Sequence, residues 1–551
     1  MLVAIASVAF APSSGAAPAG PIAAPVTFAP KDGTTLTFAG RGDFAGSLEV
    51  RRSDGGLDII NTLSLDDYVA GIQEVPPSWP MEALKAQAVA ARTYALWELE
   101  SGHWQRYGYD VCATTDCQVY NGLSATQARN GRRWAQAVHA TAGQVLLYQG
   151  KPALTRYHSS DGGLTRDNAT VFPSDGARPY LRPIDDPYDR ASPLHTWLAR
   201  FTSAQIQQIL HDAIGTRGTV TNIEAKRDTN RVKITTTNGH IDMTAVRFST
   251  VVSDVAPKDF PSTFPETRSD GLPMPLALPS SRFDIVKTSA GFDVHGIGYG
   301  HGVGMSQWGA KGRADAGQSY TTILSAYYHG LDVTRWTGRS TIRVAVSTDY
   351  GSVGISGDGA FAVSTPGATI SPGTVGDWTI STTGLRSMSV APPSGYALPL
   401  VLTGLSAPSS VLIDPPNSSN VDVGFVLPKS ALVTATLTRN GKRIARARGV
   451  FNAGEETISL RPPRKRVEGG KTYAIELTAD DGSSKVNASQ NVKLVTRGGS
   501  GWLKLFALLL LTVAAVFVRR RVVLTRRASR SRYPYGGTNP PARTGTTSGL
   551  P

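Results

Sequence analysis

Glu74 stands in the run Gln73-Glu74-Val75-Pro76-Pro77-Ser78-Trp79-Pro80, a carboxyl flanked by apolar and ring-bearing side chains. Neighbours that strip water from a carboxylate raise its pKa, and an acid still protonated near neutrality is equipped to donate a proton. Far downstream, Gly298-Tyr-Gly300-His301-Gly302-Val-Gly304-Met-Ser306-Gln307-Trp308 sets four glycines within seven residues. Such glycines let the backbone approach a ligand or take left-handed angles, and Ser306 suits the cap of a helix beginning at Gln307. His301, Gln307 and Trp308 offer hydrogen bonds and a stacking face suited to a sugar, although His301 could equally be a satisfied structural histidine. No Walker lysine pattern follows the glycines, which argues against a phosphate cradle. The only two cysteines are Cys112 and Cys117.

The elements around these residues are legible. Ser78 suits an N-cap and Pro80 the first helical turn, so a helix is expected over 79–98, with Leu84, Ala88, Ala91 and Ala95 as one apolar stripe and Gly102 as its stop. A mostly alanine stripe allows close packing, which would fix Glu74 just ahead of the helix. Upstream, 44–61 alternates like paired strands around Ser53-Asp-Gly-Gly56. Ser124-x-x-Gln127 has the form of a capping box opening a second helix that stops at Gly143, followed by a hairpin over 145–157.

The fold class expected is α+β. A β-rich capping insertion is expected over about 193–293, a small β unit over 341–405, and a β-sandwich of immunoglobulin type over 410–496, where Asn440-Gly441 marks a tight turn. At 551 residues the chain is long enough for two to four such units.

The formal net charge is +14, but eight arginines lie beyond residue 518 in a tail without acids, so the excess is local and no nucleic-acid surface is indicated. Trp502 to Val518 is apolar apart from Lys504, near the short limit of about 17 to 25 residues for a membrane helix, and the arginines after it assign 519–551 to the cytoplasm as a disordered basic tail. Residues 1–25 resemble an export segment, with an apolar stretch from Leu2 to Phe10 followed by small residues. Together the ends predict an extracytoplasmic protein anchored in the cytoplasmic membrane by a C-terminal helix.

Both islands resemble the SpoIID/LytB family, the stage II sporulation protein D group. The resemblance rests on Asp67-Tyr-Val-Ala-Gly71 with Glu74, on Trp79-Pro-Met-Glu-Ala-Leu-Lys-Ala-Gln87-Ala, and on Gly300-His301-Gly-Val-Gly-Met-Ser306-Gln307, within a domain spanning 40–335. Tyr157-His-Ser-Ser160-Asp-Gly-Gly163-x-Thr165 and Cys117-Gln118-Val-Tyr120 are similar to further family segments near the cleft. The resemblance implies a peptidoglycan lytic transglycosylase, with Glu74 as general acid and His301, Gln307, Trp308, Ser306, Gln118, Tyr120 and Ser160 binding the glycan strand. As an alternative it admits a non-catalytic, peptidoglycan-binding enhancer of a wall amidase, with that hydrolase as partner. A purely structural scaffold is the third reading. Some sporulation members hold zinc through Cys, His and Cys; Asp116 stands at the histidine position here, and in an exported domain a Cys112–Cys117 disulfide is favoured over zinc, with no other cofactor expected. The 410–496 region resembles the immunoglobulin-like domain of flagellar hook-cap scaffold proteins.

Overall fold

A computed structural model describes residues 18–264, 268, 271–383, 387–413 and 420–496. Two sheets form its base. The seven-stranded one runs in the order Ala368–Thr374, Phe361–Thr365, Val26–Pro30, Ser47–Arg52, Leu57–Ser64, Thr341–Tyr350, Val111–Cys112, and the six-stranded one includes Gly20–Ala23, Leu36–Phe38 and Ser352–Gly357. A single apolar cluster, with Phe28, Leu48, Ile59, Val344, Phe361 and Trp378 fully buried, joins N-terminal strands to those after residue 340.

The region 341–405 is therefore no separate unit, contrary to expectation. Thr341–Tyr350 pairs antiparallel with Leu57–Ser64, and Phe361–Thr365 with Val26–Pro30. Alternating strands advertise a buried face without naming their partner, so the sequence left this long-range pairing open. The export segment is likewise corrected at its end: Gly20–Ala23 pairs with Ser387–Ala391 and Ile22 is buried, while residues 1–17 lie outside the described residues.

The helix Met81–Ser101 is the axis of the α part. Pro80 rather than Ser78 occupies its N-cap position, and Gly102, left-handed, ends it. Instead of one apolar stripe it is buried nearly all round, with Leu84, Ala88, Ala91 and Ala95 in the first cluster and Ala86, Val89, Ala90 and Tyr94 in another that includes Val303, Met305 and Tyr327. A helix apolar on all sides must sit at the centre of its domain. Arg92, fully buried on it, is satisfied by Asp66 at 2.8 Å and by the carbonyls of Val138 and Gln144. The expected second helix splits into Ser124–Gln127 and Gly131–Ala140, and Ser124 lies inside the first instead of capping it.

Residues 194–294 have a core of their own, in which the helices Ser203–Ile214 and Ala245–Asp259 cover two three-stranded sheets. From 400 to 494 a three-stranded and a five-stranded sheet enclose one apolar cluster.

The α+β expectation is corrected: strands make up 41% and helices 22% of the structure, which is strand-dominated. No helix among the described residues is long and apolar enough to cross a membrane. The run 502–518, expected as a transmembrane helix, and the tail 519–551 lie outside the described residues.

Candidate functional site

Glu74 sits in the link between the helices Leu65–Ala70 and Met81–Ser101. Its Oε1 accepts a 2.8 Å hydrogen bond from the Val119 backbone N–H. The two segments run together, because Gln73 N–H donates to Val119 O at 3.0 Å and Ile72 forms an antiparallel bridge with Tyr120. Gly71 allows this approach; a Cβ there would stand 2.3 Å from the Tyr120 ring. The loop that carries Val119 is pinned at one end by Val111–Cys112, parallel to Thr341–Tyr350, and closed by a Cys112–Cys117 disulfide. Both sulfurs are held in that bond, and Asp116 stands next to Cys117.

Glu74 Oε2 is enclosed and has no hydrogen-bond partner among the described residues, although the residue as a whole is only partly buried. Loss of water pushes the carboxyl up to about 7, against the pull of the Tyr157 hydroxyl and the Val119 N–H. Tyr157 is itself positioned: Gln118 Nε2 donates to its hydroxyl at 2.8 Å and to Ala91 O at 3.2 Å, while Gln118 Oε1 accepts from the Tyr68 hydroxyl at 2.9 Å. Burial beside Glu74 raises Tyr157 well above the usual phenol range, so it stays a neutral hydroxyl.

The glycine-rich loop meets protein, not open cleft. All four glycines have positive φ, and a Cβ would stand 2.6 Å from Ser160 O at Gly298, 3.0 Å from His158 Cβ at Gly300, 3.0 Å from Arg166 Cδ at Gly302 and 2.1 Å from Arg156 O at Gly304. The loop is thus strapped onto residues 156–166, with Tyr157–His158 parallel to Met305–Ser306. His301 packs against His158 and Phe172, its Nδ1 accepting from the Val303 N–H at 3.0 Å, and burial holds it well below the usual histidine range. It is therefore neutral and carries its proton on Nε2.

Ser160 and Ser306 do not face a ligand; both donate 2.7 Å hydrogen bonds to the carboxylate of Asp189. The same fully buried carboxylate accepts from the backbone N–H groups of Asp161 and Gly162 and meets His195 Nδ1 at 2.9 Å. Asp161, also fully buried, is pushed up to about 9 by desolvation and by the neighbouring Asp189 and Asp186. Asp189, a single aspartate in an unremarkable loop, gave no signal in the sequence; five donors converging on it make it the knot between the two halves of the site.

Gln118 and Tyr120, expected to bind substrate, lie one layer deeper. All of Gln118's amide is used internally, and Tyr120 is buried, donating to Asn61 Oδ1 at 2.6 Å. Gln307 and Trp308 differ from these. The Gln307 side chain takes no hydrogen bond among the described residues, and the partly exposed Trp308 ring meets the Trp79 ring edge-on at 5.1 Å. That contact joins the loop of Glu74 to the helix Gln307–Asp315, which Ser306 caps through Gly309 N at 3.0 Å. Glu74, Tyr157, Gln307, Trp79 and Trp308 thus supply an acid, a neutral hydroxyl, an unengaged amide and an aromatic wall.

A family model described as SpoIID, stage II sporulation protein, matches residues 53–148. An uncharacterized protein of Brachyspira hyodysenteriae is 33% identical over 312 residues, covering 56% of this chain and 76% of that protein. The stage II sporulation protein D of Bacillus amyloliquefaciens is 30% identical over 285 residues, covering 50% of this chain and 75% of its own length. The amidase enhancer of Bacillus subtilis is 30% identical over 305 residues, covering 48% of this chain and 39% of that protein.

Proposed function

The chain belongs to the stage II sporulation protein D family, and on that premise we propose that it is a peptidoglycan lytic transglycosylase that cuts glycan strands outside the cytoplasm. The observation that carries this reading is the state of Glu74: one oxygen held by Val119, the carboxyl enclosed beside the Tyr157 hydroxyl, and the pKa raised to about 7 by loss of water. Such a carboxyl is a proton donor at neutral pH.

In the proposed reaction, Glu74 gives its proton to the oxygen between N-acetylmuramic acid and N-acetylglucosamine. The C1–O bond breaks and the N-acetylglucosamine end leaves as a 4-hydroxyl. The muramoyl 6-hydroxyl then attacks its own C1, and its proton returns to the Glu74 carboxylate, leaving a 1,6-anhydro end. No water is consumed, so the second carboxylate of an ordinary glycosidase is not required. Tyr157, a neutral hydroxyl beside the acid, keeps the carboxyl oriented, and Trp79 with Trp308 gives the sugar a stacking wall.

The similarity to an amidase enhancer supports a second reading, a glycan-binding regulator of a wall amidase without turnover. Mass spectrometry of glycan fragments separates the two. Anhydromuramoyl ends made by the wild-type protein and absent with Glu74→Gln support the transglycosylase. Retained glycan binding with no new ends, on intact or peptide-stripped strands, supports the regulator.

A further inference from the structure

The link that carries Glu74, residues 71–80, has few donors of its own. It contains Pro76, Pro77 and Pro80, and proline has no backbone N–H to give. Trp79 N–H reaches Pro76 O at 3.1 Å and closes one turn after the acid. The carbonyls on either side of that turn take their donors from elsewhere in the fold.

Two of those donors are neighbours on one helix. Gly131–Ala140 packs beside both helices that flank the link, with Trp134, Ala137 and Val138 in the same apolar cluster as Tyr68, Val69, Leu84 and Ala88. From it Trp134 Nε1 donates to Ala70 O at 3.1 Å. Arg133 donates through Nε to Pro77 O at 3.1 Å and through Nη2 to Trp79 O at 2.9 Å. Ala70 is the last residue of Leu65–Ala70, where helical carbonyls lack partners within the helix, and Trp79 stands just before the Pro80 cap of Met81–Ser101. The two side chains therefore grip the link at its entry and its exit, with Glu74 between them. Their helix is fixed in turn, because Arg92 on Met81–Ser101 donates to Val138 O at 3.3 Å.

We propose that Arg133 and Trp134 are positioning residues for the acid: by holding both ends of the link they keep Glu74 enclosed against Val119 and the Trp79 ring against Trp308, and neither touches the glycan. The bond from Val119 engages one carboxyl oxygen and by itself leaves the link free to swing about it. Anchors at Ala70 and at Pro77 and Trp79 remove that freedom, as a reacting group needs when its geometry must be held closely. The Arg133 fork spans two carbonyls, which the point charge of a lysine does not do. The proposal rests on the reading of Glu74 as the acid.

Two conservative variants remove the donors and little else. Arg133→Lys keeps the charge and loses the fork, and Trp134→Phe keeps an aromatic ring and loses the Nε1–H. Each is made in the full chain with Glu74 and with Glu74→Gln, and denaturant midpoints within each pair are compared at pH 4 and pH 8. Burial raises the Glu74 carboxyl to about 7, so in the otherwise wild-type chain Glu74→Gln gains stability between these pH values. The expected result is that each variant at least halves this gain, because a loosened link lets water reach the carboxyl. A merely structural loss would lower both members of a pair alike and leave the gain as it was. Turnover should fall by about tenfold or more, and its alkaline limb should move down by about one pH unit. An unchanged gain in a variant overturns the assignment of that residue, and a raised KM with unchanged kcat would make it a binding residue instead. Trp134 is buried and Arg133 only partly so; if Trp134→Phe does not fold, Arg133→Lys decides. The stability pairs need no turnover. A protein that makes no anhydro ends would therefore sink the transglycosylase reading, while the pairs still decide whether the clamp encloses Glu74.

Discussion

The backbone N–H of Val119 donates to Oε1 of Glu74 across 2.8 Å, from a loop that a disulfide closes five residues apart in sequence. The link between two helices thereby presents a fixed carboxyl, with one oxygen engaged and the other enclosed.

The pH dependence follows from the raised pKa of Glu74. Strand cleavage should fall as the pH rises through about 7, because the acid loses its proton there. Glu74→Gln should abolish cleavage, with a loss of about a thousandfold or more and little change in fold. Linkage gives the accompanying stability effect. A carboxyl raised in the folded state favours folding below its ordinary value, and that contribution is lost as pH climbs through the folded value. Glu74→Gln should therefore be more stable than wild type at pH 8, by up to about 3 kcal/mol, and gain little at pH 4. Urea titrations at the two pH values measure this; an equal effect at both would refute the burial account.

Gln118→Leu should act on catalysis rather than on affinity. It removes the bonds to Tyr157, Tyr68 and Ala91 without touching a surface a sugar can reach. A fall of about tenfold or more in kcat with KM nearly unchanged is expected. A rise in KM alone would restore Gln118 to the binding surface.

Opening the Cys112–Cys117 bond should cost about 2 kcal/mol by the chain-entropy relation for so short a loop. Cys112→Ser with Cys117→Ser should also lower kcat, since Val119 would no longer be held against Glu74. Thermal unfolding and turnover of oxidised, reduced and double-serine protein check both halves; unchanged turnover in the reduced protein would separate the disulfide from the site.

Asp189→Ala should be among the most damaging single changes, at about 3–5 kcal/mol, because it strands Ser160, Ser306, His195 and two backbone donors. Asp161→Asn is the contrast. Asp161 is pushed up to about 9, so at pH 7 it is neutral in the fold and ionised in the unfolded chain; the amide should be tolerated at pH 4 and stabilise the fold increasingly as the pH rises from there to about 9. Denaturant midpoints of the two variants test the pair, and a larger loss for Asp161→Asn would show that the roles are reversed.

The local parts are legible in the residues alone. Val75, Pro76, Pro77 and Trp79 announce a desolvated carboxyl, Gly102 stops the long helix, and Ser306 caps the helix that presents Trp308, because each rests on neighbours within a few residues. The sequence also marked the glycines of 298–304 as conformationally special, without saying what they approach. Only the folded chain shows that they approach the 156–166 segment, that Ser160 and Ser306 spend their hydroxyls on Asp189, and that Gln118 and Tyr120 support the acid from below. It alone joined 341–391 to the N-terminal strands and made the fold strand-dominated. A common cause underlies these cases: a hydroxyl, an amide or an alternating strand advertises that it needs a partner, and which partner it finds depends on pairings between residues tens to hundreds of positions apart.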